Sequence, residues 1–146
     1  MKMSKGEYRK FAEKNAPRST VGKNMLKAFV SGGAICAVGQ GFLNLYDGLG
    51  LDTELAGTMA SITLILLGAL LTGLGIYDNI AAFAGAGTLV PITGFSNSVA
   101  AAAIEFKSEG FVTGTGTKMF VIAGPVIVYG VSASIIYGMI LFLTGA

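Results

Sequence analysis

The amino-acid sequence predicts an all-α fold: a polytopic membrane helix bundle with about four hydrophobic segments, the third a broken or re-entrant helix. Three observations carry that reading. The 146 residues are 53% hydrophobic and only 12% charged, with a mean hydropathy of +0.70, whereas a soluble domain carries about 25% charged residues. Charge is also uneven. Lys2, Lys5, Arg9, Lys10, Lys14, Arg18, Lys23 and Lys27 stand against Glu7 and Glu13, so residues 1–27 carry a net +6. Finally, 26 uncharged residues separate Asp78 from Glu105, and Gly85-Ala86-Gly87-Thr88-Leu89-Val90-Pro91-Ile92-Thr93-Gly94 interrupts them halfway.

The chain divides into a basic cytoplasmic N-terminal segment, 1–24, and a membrane domain, 25–146. Positive charge beside the first hydrophobic run holds that end in the cytoplasm. Its expected partner is anionic lipid, at about 1 kcal/mol per basic residue, and not nucleic acid. Within it, Tyr8, Phe11 and Ala12 share a helical face, which fits either a short interfacial helix ending before Pro17 or a solvated tail. The apolar run after it is too long for a signal peptide, and nothing small closes it, so an uncleaved anchor is expected.

Segment one runs from about Met25 to Leu45. Gly33, Ala37 and Gly41 lie four apart on one face, a pattern that lets helix backbones approach closely in lipid, and they are the expected helix-packing residues. Gln40 and Asn44 occupy a neighbouring stripe, available for interhelical hydrogen bonds or a pore wall. The loop Asp47–Thr58 is acidic, as suits an outer loop. Segment two, Met59 to Tyr77, returns the chain to the cytoplasmic side, with Gly68, Thr72, Gly75 and Asn79 along one stripe.

Segment three is the interrupted one. Glycines weaken a helix, Pro91 removes a donor, and Thr88, Val90, Ile92 and Thr93 favour extended backbone. The expected layout is a half-helix over 79–86, an unwound stretch Thr88–Gly94, and a second half-helix Phe95–Phe106 capped by Thr93, Ser96 or Asn97. Non-helical backbone at membrane depth is tolerated only where protein buries it or it lines a water-filled cavity. Free amides and the macrodipole at such a half-helix end favour anions. The candidate path residues are therefore Gly85, Gly87, Thr88, Pro91, Thr93, Gly94, Ser96, Asn97 and Ser98. Asp78 and Glu105 flank the element as candidate gate or cation contacts.

Residues 105–118 are the most polar interior stretch. Glu105 and Glu109 form an i, i+4 like-charge pair, and Gly110 should end the helix just after it. Lys107 and Lys118 lean toward the cytoplasm, hence toward re-entry of segment three. Segment four spans about Met119–Leu143, with a kink expected at Gly124-Pro125.

Several function classes are excluded. There is no histidine, and Cys36 is the one cysteine, so one chain cannot build a disulfide, a Cys/His metal site or a thiol–imidazole dyad. No catalytic residue, metal or cofactor is expected. Asp78, Glu105, Glu109 and Lys118 would have to carry any acid–base chemistry, and none sits in a nucleophile setting.

The chain resembles the stage V sporulation protein AC family of endospore-forming bacteria. The resemblance rests on Lys27-Ala28-Phe29 with Gly32-Gly33, Ile35-Cys36 and Gly39-Gln40, then on Leu71-Thr72-Gly73-Leu74-Gly75-Ile76-Tyr77-Asp78 and Phe83-Ala84-Gly85-Ala86-Gly87. It is most specific in Val90-Pro91-Ile92-Thr93-Gly94-Phe95-Ser96-Asn97-Ser98 and in Ile104-Glu105 with Ser108-Glu109-Gly110. The sister stage V sporulation protein AE family shares the Gly-rich and Pro-Ile-Thr elements, but lacks the long basic extension and the Ser-Glu-Gly element. The resemblance implies a multi-pass protein of the spore inner membrane. With AE-type and AD-type partners it would move dipicolinic acid, with calcium, during sporulation and germination. From the residues themselves, a loosely selective tension-gated pore and a non-conducting scaffold for partner proteins remain alternatives to a solute channel.

Overall fold

The computed structural model describes residues 4–15 and 20–145. Helix α1 covers Lys5–Asn15, α2 Val21–Gly48, α3 Thr53–Gly73, α4 Tyr77–Ala84, α5 Pro91–Glu105 and α6 Thr117–Thr144. A 3-10 turn, Gly85–Thr88, joins α4 to the extended pair Leu89 and Val90. Among the described residues no strand is present. Pro17 and its neighbours lie outside them.

Helix α1 takes the helical option for the N-terminal segment. It opens on a reciprocal cap: the Ser4 amide donates to Glu7 Oε2 (2.9 Å), and the Glu7 amide donates to Ser4 Oγ (3.3 Å). Two orphan donors are thereby satisfied. Helix α2 begins at Val21, four residues before the expected start.

Among the described residues three helices are long and apolar enough to cross a membrane: Val21–Gly48, Thr53–Gly73 and the unit Phe111–Thr144. The polytopic helical architecture is thus as expected, with three full spans and one interrupted element. Asp52 caps α3, accepting from the Leu55 amide at 2.8 Å. Hydroxyls inside the spans fold back onto their own helices. Thr58 and Thr63 donate to the carbonyls of Glu54 and Met59. That internal bonding spares lipid an unsatisfied polar group.

Helices α2 and α3 form an antiparallel pair joined by a tight turn in which Gly50 has φ +87°. Their inner faces are small. Ala56, Ala60, Leu64 and Gly68 are the buried residues of α3, and Leu64 lies against Gly39 of α2.

Helix α5 then runs parallel to α3. Ala60 and Leu64 share a cavity wall with Val90 and Ile92, Gly68 touches Thr93 and Ser96, and Thr72 bonds Asn97. The contacts advance in the same direction along both helices. Two consecutive parallel helices require the chain to travel back between them, and α4, the 3-10 turn and Leu89-Val90 make that return only as far as the middle of α3. At 1.5 Å per residue, α3 is about 31 Å long and α5 about 22 Å. A hydrocarbon core is about 30 Å thick, so α5 does not cross it alone. The third element re-enters.

Beyond Glu105 the chain makes a 3-10 turn, Lys107–Glu109, and a π-helical turn, Phe111–Gly116, before α6. Gly110, with φ +98°, ends the first of these. The expected helical Glu105–Glu109 pair does not form, because α5 stops at Glu105. Pro125 lies inside an otherwise continuous α6.

Candidate functional site: a break between two cavities

The interruption falls where glycine and proline announce it, but its boundaries differ. The unwound stretch ends at Val90, not Gly94, because Pro91 starts α5. Its fixed φ and missing N–H suit the first helical position. Gly85, Gly87 and Thr88 therefore lie in the 3-10 turn, while Pro91, Thr93 and Gly94 belong to the first turn of α5. The expected capping by Thr93, Ser96 or Asn97 is absent: Val90 is the N-cap and makes no side-chain bond.

The helical ladder of α5 opens with the Gly94 amide donating to Val90 O at 2.9 Å. The Ile92 and Thr93 amides precede it, and such first-turn donors have no intrahelical acceptor. Gly94 is required sterically, since a Cβ there would stand 2.6 Å from Thr88 O. Gly85 takes φ +56°, which turns the chain out of α4.

Two polar side chains of α5, Ser96 and Asn97, are engaged with α3. Ser96 Oγ donates to Ile65 O at 2.7 Å, and Thr72 Oγ1 donates to Asn97 Oδ1 at 2.8 Å. Ser98 Oγ donates to Phe95 O in its own helix. Thr93 Oγ1 is buried with no hydrogen-bond partner. Tyr77, 4% exposed, sends its hydroxyl to Thr88 O at 3.3 Å. Asp78 and Glu105 are exposed, at the start of α4 and the end of α5. By the parallel packing of α3 and α5, they share one end of the bundle and do not adjoin the break.

On α2, the structure uses a different stripe from the expected one. A Cβ on Gly87 would lie 2.6 Å from Ala28 O, and one on Gly32 would lie 3.3 Å from Gly87 O. Ala28 and Gly32, with Ser31, receive the break. Gly33, Ala37 and Gly41 are exposed, with nothing near either glycine. Both stripes have small residues four apart, so periodicity alone does not choose between them.

Two cavities lie on either side of this contact. One, of about 430 Å3, is lined by Asn24, Lys27, Ala28 and Ala82–Ala86 at the N-terminal end of α2. The other, of about 260 Å3, is lined by Gln40, Ser61, Val90 and Ile92 toward the opposite end. Gln40 Nε2 donates there to Asn44 Oδ1 at 2.9 Å. Lys27 Nζ stands 4.8 Å from the centroid of the Phe83 ring. Sequence reasoning passed over Lys27, Tyr77 and the Ala28–Gly32 receiver. A trace of the last was present in the Ala28-x-x-x-Gly32 spacing.

The match that settles kinship covers residues 24–140: the family model of the SpoVAC/SpoVAEB sporulation membrane proteins. The chain belongs to that family. It is also 51% identical over 139 residues to the stage V sporulation protein AC of Bacillus subtilis (strain 168), covering 94% of this chain and 93% of the relative. No solved structure matches. Membership confirms the AC-type resemblance and makes this a sporulation membrane protein, in keeping with its several apolar helices. The break lies inside the matched span, as do the linings of both cavities apart from Val21.

Proposed function

We propose that the chain is a subunit of an oligomeric channel or transporter that moves dipicolinic acid, with calcium, across the spore inner membrane in sporulation and germination. The observation that supports this best is the unwound stretch Gly85–Val90, which stands between one cavity at the N-terminal end of α2 and another along its middle. Peptide groups at that depth need a wet or protein-covered side, and a passage interrupted by a thin plug supplies it. The family resemblance supplies the solute. The basic N-terminus lies in the cytoplasm among anionic headgroups, and re-entry returns residues 105–116 to the same side. No catalytic step is involved.

One chain provides too little wall for a conduit. Among the described residues only six hydrophobic ones are buried: Ala56, Ala60, Leu64, Tyr77, Ala84 and Ala102. The open Gly33–Ala37–Gly41 face and the neighbouring Gln40–Asn44 pair are suited to receive further subunits, in homo-oligomers or with AE-type and AD-type proteins. A tension-gated reading draws on the plug itself. Gly87 meets α2 largely through backbone, so tilting α2 would part the contact.

Two substitutions test the conduit. Gly94→Leu drives a side chain into Thr88 O, whereas Asn97→Leu deletes the bond to Thr72 without that clash. In spores with a normally assembled complex, dipicolinate release should slow by at least about tenfold, equivalent to ~1.4 kcal/mol on the passage barrier. Unchanged release from a stable complex removes the proposal.

A further inference from the structure

We infer that the cavity between α2 and α4 is a binding vestibule for a small carboxylate anion, with the Lys27 ammonium as the group that selects for it. The inference rests on the proposed function only for the identity of the solute; the site stands on its own residues. The cavity holds about 430 Å3; Asn24 and Lys27 line it on α2, among apolar neighbours such as Met25, and Phe83, Gly85 and Ala86 line it opposite. Among the described residues no carboxylate lines it. The described partner of the Lys27 ammonium is the Phe83 ring, 4.8 Å away. A π face holds the cation in place without neutralising it or using its N–H donors on an oxygen. A fixed positive charge with free donors, beside the Asn24 amide, is a receptor for a carboxylate.

One feature of the cavity opposes an anion. Helix α4 ends at Ala84, and a helix C-terminus carries about half a negative charge. The whole charge of Lys27 outweighs it, and Lys23, one turn earlier on α2, adds to the field. The cavity floor is the 3-10 turn that packs on Ala28 and Gly32, so an anion held by Lys27 waits directly against the plug.

The test uses full-length protein in nanodiscs, with pyridine-2,6-dicarboxylate as probe in equilibrium dialysis at low salt. Lys27→Gln should weaken binding about tenfold, the loss typical of one charge-assisted hydrogen bond. Lys27→Arg should stay within about threefold, since charge and donors persist. A thermal melt confirms that each variant is folded. Unchanged binding in Lys27→Gln overturns the inference. So does a site that takes phosphatidylglycerol and ignores the free dicarboxylate. Dipicolinate release from spores with a normally assembled complex separates the two readings: Lys27-dependent binding, with release unchanged by Gly94→Leu, leaves the vestibule standing and removes the conduit.

Discussion

The α3–α5 seam and the outer part of α6 are both apolar helical sequence, yet they behave differently. In the seam, Gly68 admits Ser96 and Thr93, Ser96 Oγ reaches Ile65 O at 2.7 Å, and Thr72 bonds Asn97. In α6, every residue from Pro125 to Ile140 is exposed on the single chain. Spacing does not explain the contrast, because Val126, Gly130, Ser134 and Gly138 repeat the four-residue interval of Ala56, Ala60, Leu64 and Gly68. Hydrophobicity carries a helix into the bilayer but does not hold it to another, since lipid is equally apolar. What holds α5 is close backbone approach together with hydroxyls that donate to a neighbouring helix.

The largest expected effect concerns sidedness. If the seam is parallel and α6 crosses alone, Ser108→Cys and Thr144→Cys lie on opposite faces. In a Cys36→Ala background, an impermeant maleimide should label Thr144→Cys from outside and Ser108→Cys only after permeabilisation. Labelling of both from one side would break the re-entrant topology.

A smaller effect compares the two regions by stability. Ser96→Ala removes a bond between helices and should cost about 0.5–1.5 kcal/mol in detergent unfolding. Val128→Leu on α6 should stay within about 0.5 kcal/mol, as expected of a lipid-facing swap. A larger cost at Val128, appearing only in the assembled complex, would place a partner on α6.

The smallest effect lies outside the membrane. The Ser4 amide, then its hydroxyl, hold the Glu7 carboxyl below its ordinary value of 4.5. A depressed folded value means the cap contributes above the ordinary value and is lost as pH falls through the folded one. The protection of the first α1 amides against hydrogen exchange, taken relative to the intrinsic rate at each pH, should therefore fall in acid, and Glu7→Gln should flatten that dependence. The seam and α6 should not respond.

Much of this molecule is local and hence legible along the chain. Charge and hydropathy determined the membrane class and the spans. Gly85, Gly87 and Pro91 determined that the third element must break, because a missing Cβ and a missing N–H act wherever they occur. Tertiary structure decided the rest. Whether Gly32 or Gly33 receives a neighbour, whether Ser96 caps its own helix or bonds α3, and whether Lys27 meets lipid or a cavity depend on groups far apart in sequence. Close approach in a bilayer is set by the shapes and donors of both helices, and one strand of residues records only its own side of that contact.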